Sequence, residues 1–234
     1  MRALLAVLLF TLAVAAMFYF LFFQPVVDPS YGLPLVLIGI GAIIAFSWAG
    51  LFQKSIVAYV IFSTIIQTAY FVLDAGSAIM VGKSLWFAVI QAVNFTVAGA
   101  LFMLVFAMLY VNLRKENLAD YAGIYERNKL LVLLISLSCL SLGGMAGFNI
   151  FVGEFLLYSF LFAVHPALAL LAIFAGLVCF MFYFRICYTL MVRKSQVTIP
   201  VPLPVKVVAV VLGILVVGLG IIPHILFKLL EVVS

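Results

Sequence analysis

The chain has 234 residues, of which 69% are hydrophobic and only 8% charged, with a formal net charge of +5 and a mean hydropathy of +1.43. So little polar surface cannot cover a water-soluble globule, which excludes soluble enzymes and nucleic-acid-binding modules and predicts an all-α integral membrane protein forming one transmembrane domain over residues 1–234. In such a protein the placement of Lys and Arg matters more than their sum, because it sets orientation in the bilayer.

The first predicted element, residues 1–24, opens with Arg2 and an apolar run like a signal peptide, but the run continues to Phe23 and reads as an uncleaved extra N-terminal span. Further spans are predicted at 33–52, 55–73 and 84–112. The polar stretch "RKENLADYAGIYERNK" puts Leu118, Tyr121, Ala122 and Tyr125 on one helical face and predicts a short interfacial helix. Apolar segments resume at 129–165, 167–192 and 204–230. Cys139, Cys179 and Cys187 lie inside apolar runs without CxxC spacing and read as buried packing residues.

Segment 129–165 is long enough for two crossings, or for one built from two half-helices. The positive-inside rule separates the two, because an added crossing inverts everything after it. A single crossing places Arg2, Lys54, Arg114, Lys115, Arg127, Lys129, Arg193, Lys194 and Lys206 on one side against Lys83 and Lys228, with Arg185 inside a span. A double crossing divides the charges far less sharply. The expectation is therefore about seven transmembrane helices, one of them discontinuous at Gly143, Gly144 and Gly147, with the N-terminus inside and the C-terminus outside. The expected location is the cell membrane, or alternatively the mitochondrial inner membrane.

Glu154 stands about two turns beyond that break, where an ionised carboxylate costs a few kcal/mol or more. Either it binds a neighbouring span for packing, or it relays a proton or cation; acid plus broken helix favours the relay. Gln67, Gln91, Asn94 and Thr96 either order a water path or make interhelical hydrogen bonds. Arg185 reads as snorkelling or bound to backbone carbonyls. His165 and His224, near predicted outer ends, read as structural, with His165 a possible outer exit. Lys129 opens the broken span and can supply an inner basic group. No phosphate loop, haem or iron–sulfur ligand set, nucleophile–base pair or nucleic-acid patch is visible, so catalytic residues, metal and cofactor are expected to be absent from this chain. Any enzymatic activity would belong to partner subunits.

The block "LSLGGMAGFNIFVGEFLLYSF" resembles the broken helix of the antiporter-like subunits of respiratory complex I, Mrp cation/proton antiporters and membrane-bound hydrogenases, its Gly153-Glu154-Phe155 being most similar to the complex I M-type and Mrp D-type subunits. "FSTIIQTAY" (62–70), "FQKSIVAY" with Lys54 where the family has a basic loop residue, "FAVIQAVNFTVAGALF" (87–102) and "YFRICYTLMV" (183–192) are similar to the neighbouring family helices in the same order. The resemblance covers residues 33–230 and implies a single repeat of the antiporter-like fold, the second of the two inverted repeats that family members carry, with the repeat that usually holds a Glu–Lys pair absent. Asn94 stands where the family often has His, and Gly99 near where some members have Lys. What the resemblance implies is a membrane-arm subunit that moves H⁺ or Na⁺ through a half-channel at Glu154, with other membrane subunits and the bilayer as partners. A non-conducting spacer or assembly subunit of the same kind of complex is the alternative.

Overall fold

A computed structural model describes residues 2–23, 28–81, 86–192 and 198–224. Lys83, Arg193, Lys194 and Lys228, which entered the charge count, lie outside these residues, as does the last predicted span beyond 224. The described residues form α1 (Arg2–Phe23), α2 (Gly32–Leu51), α3 (Ile56–Met80), α4 (Trp86–Leu113), α5 (Lys129–Leu142), α6 (Asn149–Val164), α7 (Pro166–Met191) and α8 (Leu203–Ile221). Five helices are long and apolar enough to cross a membrane, and α1, α5 and α6 add shorter apolar segments. Pro166 opens α7 at its first position, where a missing N–H leaves no hydrogen bond unmade.

One face of the bundle is tied together by the connections. Ser55 and Asn117 form an isolated antiparallel bridge, with Ile56 N donating to Glu116 O at 2.8 Å and Leu118 N to Lys54 O at 2.8 Å. Asn128, just before α5, accepts from Ile199 N at 2.8 Å, which places the start of α5 on the same face as the chain leaving α7. Since only His165 separates α6 from α7, α5 and α6 together make one crossing and α7 returns. Lys54, Arg114, Lys115, Arg127, Lys129 and Lys206 therefore share this face, here called the basic face.

The segment expected to be one interfacial helix is instead two 3₁₀ turns, Leu118–Tyr121 and Ile124–Glu126. Gly123 at φ 76° separates them in a left-handed conformation no helix contains. Leu118 and Tyr121, three apart in the first turn, eclipse and are both buried, and Ile124 of the second turn is buried, while Tyr125, expected on the same face, is exposed. Tyr121 donates to Lys115 O at 2.7 Å. Burial pushes its phenol up to about 12, so the anchor stays a donor through the physiological range.

Close packing of α2 on α3 depends on small residues. A Cβ on Gly39 would fall 2.8 Å from Leu73 Cβ and 2.9 Å from Leu73 N, and one on Gly76 would fall 2.9 Å from Val36 N. Gly39→Ala is expected to push the helices apart at a cost of about 1–3 kcal/mol, read as a lower melting temperature of the detergent-solubilised protein. An unchanged melt would show that the interface yields.

Candidate functional site

The break between α5 and α6 begins as a helix C-cap. Gly144, at φ 73°, donates its N–H to Ser141 O at 2.8 Å, and Met145 N reaches back to Leu140 O at 3.0 Å. This pair is the Schellman arrangement, and a left-handed residue at its turn position is what a glycine supplies without strain. Gly147, at φ 92°, turns the chain again before α6, whereas Gly143 stays on the right-handed side at φ −84°. The cap leaves the Leu142 carbonyl open to α3, and Gln67 Nε2 donates to it at 2.9 Å. Gln91 Nε2 in turn donates to Gln67 Oε1 at 3.1 Å.

A second set of amides fastens the other end of the break. Asn149, the first residue of α6, donates Nδ2 to Asn94 O at 3.0 Å, and Asn94 Nδ2 donates to Asn149 O at 2.7 Å. Ser141 Oγ donates to Asn149 Oδ1 at 2.6 Å, so the side chain spans from α4 across the break to α5. At membrane depth, where water cannot satisfy interrupted backbone, such side chains take its place. Asn149→Ala would leave buried donors and acceptors unmatched and is expected to cost about 2–4 kcal/mol. Its check is the yield and thermal stability of the purified protein, which should fall together.

Glu154 is carried on the second turn of α6 and is 4% exposed. Its carboxylate folds back onto the break: a Cβ on Gly144 would overlap Oε2, so only glycine leaves room for it there. Oε2 accepts from the Tyr158 hydroxyl at 3.3 Å, while Oε1 has no hydrogen-bond partner. Tyr158 Oη lies 3.5 Å from Tyr70 Oη on α3. Gly176 on α7 lets these hydroxyls approach, since a Cβ there would stand 2.6 Å from Tyr158 Oη and 3.3 Å from Tyr70 Oη. One turn along α3 from Tyr70, Asp74 is 2% exposed and its Oδ1 also lacks a hydrogen-bond partner. Below this level Ser63 and Tyr183 share a hydrogen bond of 2.7 Å.

Of the residues expected at the site, Gln67, Gln91, Asn94 and Glu154 meet around the break with Gly143, Gly144 and Gly147. Thr96 does not join them; its hydroxyl donates to Ala92 O on its own helix at 2.7 Å. Lys54 and Lys129 are exposed on the basic face, roughly 20 Å from the break by the length of α5. There Lys129 lines a cavity of about 290 Å³ with Arg127 and Lys206. Arg185 is half-buried on α7. His165 joins α6 to α7 and is exposed. Among the described residues the three cysteines are free and buried, and no group of His, Cys, Asp or Glu is placed to hold a metal ion.

Asp74, Tyr70, Tyr158 and Asn149 were missed in the sequence. The signal for two of the pairings was present: Tyr70–Asp74 and Glu154–Tyr158 are both spaced i, i+4, which stacks them on one helix face.

Fold and site together define a multi-pass, all-α membrane protein in which a discontinuous helix, braced by amides from its neighbours, carries a buried carboxyl at its break. The chain belongs to the NADH:quinone oxidoreductase/Mrp antiporter transmembrane family, whose match spans residues 1–180. It is 27% identical over 188 residues to NADH-quinone oxidoreductase subunit N of Anoxybacillus flavithermus, covering 76% of this chain and 36% of that protein. With subunit N of Bacillus anthracis it shares 31% identity over 122 residues, 50% of this chain and 24% of that one. It thus spans about a quarter to a third of the length of the curated relatives it matches. The fold is similar to a chain of the Mrp complex from Dietzia sp. DQ12-45-1b, with a TM-score of 0.75 and 14% identity over 86% of this chain and 46% of that chain. It is similar also to a chain of the membrane-bound sulfane sulfur reductase, an archaeal respiratory membrane complex, at a TM-score of 0.76, with 18% identity over 86% of this chain and 41% of that chain. A chain of respiratory complex I from Thermus thermophilus matches at 0.63, with 21% identity over 82% of this chain and 44% of that chain.

Proposed function

We propose that this chain is an ion-translocating subunit of a multisubunit membrane complex of the complex I, membrane-bound hydrogenase or Mrp kind, moving H⁺ or Na⁺ through a half-channel around Glu154. The observation that carries the reading is a buried carboxyl, one of its oxygens without a hydrogen-bond partner, seated on the turn of an interrupted helix. A carboxyl at that depth is costly to ionise and has a use when an ion can visit it. The half-helix ends around it add a field: α6 presents its positive N-terminus and α5 its negative C-terminus to the same break. In this reading the basic face lies inside, with Lys54 and Lys129 at the inner mouth, and any redox centre sits in partner subunits.

One observation favours the alternative of a non-conducting spacer. The amides of Gln67 and Asn94 are occupied in holding the break together, and an amide does not titrate. Both readings are tested by extracting the native complex in mild detergent, identifying its subunits by mass spectrometry, and reconstituting it in liposomes. Ion uptake under an imposed gradient, measured separately for H⁺ with a pH-sensitive dye and for Na⁺ with a tracer, supports translocation. An intact complex that moves neither ion, or whose flux survives loss of this subunit, makes the chain a spacer.

A further inference from the structure

We infer that Asp74 is a second proton-carrying group of the same path, exchanging a proton with Glu154 through the hydroxyls of Tyr70 and Tyr158; the inference rests on the ion-translocating reading and selects H⁺ as the ion.

Asp74 is placed by α3, whose site-facing residues are polar at a helical spacing. Ser63, Gln67, Tyr70, Asp74 and Ser77 follow one another at intervals of four, three, four and three residues, and all five are buried. Ser63 bonds Tyr183, Gln67 bonds the Leu142 carbonyl and Ser77 bonds the Leu73 carbonyl, so these three have structural employment. Asp74 does not share it: its Oδ1 is buried without a partner. A carboxyl at membrane depth with a buried oxygen left unpaired is a functional candidate by default.

The groups between the two carboxyls suit a proton and no larger ion. Tyr158 donates to Glu154 Oε2 at 3.3 Å, its oxygen is 3.5 Å from that of Tyr70, and Tyr70 stands one turn from Asp74 on the same face of α3, so the inferred relay needs a water to complete the link. A hydroxyl can receive a proton on one side while giving one up on the other. Tyr158 passes its proton to the Glu154 carboxylate, Tyr70 refills Tyr158, and the Asp74 carboxyl refills Tyr70. Both hydroxyls end as they began, and the negative charge has moved from Glu154 to Asp74. A metal cation would instead need several oxygens converging on one point.

Position gives the relay a direction. Asp74 precedes the end of α3 at Met80 by six residues and Glu154 precedes the end of α6 at Val164 by ten, about 9 Å and 15 Å of helix respectively. Both helix ends lie away from the basic face, so Asp74 is the carboxyl nearer the opposite side.

The test uses the native complex carrying Asp74→Asn, Asp74→Glu, Tyr158→Phe or Glu154→Gln, with subunit content checked by mass spectrometry and proton flux measured in liposomes. Asp74→Asn and Tyr158→Phe, the latter removing only the bridging oxygen, are each expected to lower flux at least tenfold, and Asp74→Glu to keep a substantial part of it. Wild-type flux in Asp74→Asn alongside a blocked Glu154→Gln overturns the inference and leaves the ion-translocating reading standing. Wild-type flux in both overturns the reading as well. Should Asp74→Asn fail to assemble, the wild-type complex decides: a hydrophobic carbodiimide, which modifies protonated carboxyls, is expected to label Asp74 as well as Glu154. Labelling confined to Glu154 overturns the inference.

Discussion

Glu154→Gln is expected to leave the complex assembled and to reduce its ion flux by at least tenfold. The amide has the shape of the carboxyl, so it fits the space left open by Gly144, and its oxygen still accepts from Tyr158. What is lost is the ability to take up and release a proton or to offset a cation's charge. Removing a buried charge is itself favourable, so the change in stability should stay within about 1 kcal/mol in either direction. Flux measured per assembled complex separates chemistry from folding. Glu154→Asp completes the series, since it keeps the charge but withdraws it from Gly144 by one methylene, and partial flux is the expected result. Normal flux in the assembled glutamine variant would remove Glu154 from the mechanism.

Gly144→Ala is expected to damage the protein through two separable terms. The backbone at φ 73° costs an ordinary residue about 1–2 kcal/mol. The new methyl also meets the Glu154 carboxylate, and overpacking of that kind adds about 1–3 kcal/mol unless the side chain moves. Gly147→Ala is the control, because φ is again positive at 92° but a Cβ there meets nothing within 4 Å. A double substitution, Gly144→Ala with Glu154→Ala, should recover the steric part only, giving non-additivity of about 1 kcal/mol or more in thermal unfolding. Strict additivity would mean that the carboxylate moves aside freely and that Gly144 matters for its backbone alone.

The break and Glu154 were legible in the sequence because each is a local anomaly against a uniform background. A carboxylate in an apolar run and three glycines within five residues need no partner to be noticed. Asp74 shows the limit of that signal. Hydropathy falls at Asp74 and places the boundary of the 55–73 span just before it; α3 continues to Met80 because Asp74 faces protein. The polar stretch before the broken span failed for a different reason. Spacing of three residues fits both an α-helix and a 3₁₀ turn, and the left-handed backbone at Gly123 decides between them only once the chain is folded.

By itself the sequence determined the solvent, the order of the spans and the position of the helix break, because a bilayer imposes length and polarity on each segment independently. Only the tertiary structure decided what surrounds the break. Asn94 meets Asn149 across 55 residues of chain, Gln67 reaches the Leu142 carbonyl across 75, and Tyr70 comes beside Tyr158 across 88. Spacing along one helix can mark a polar face, as it does on α3, but it does not say which helix that face meets, so the groups that share a site become visible only when the helices are packed.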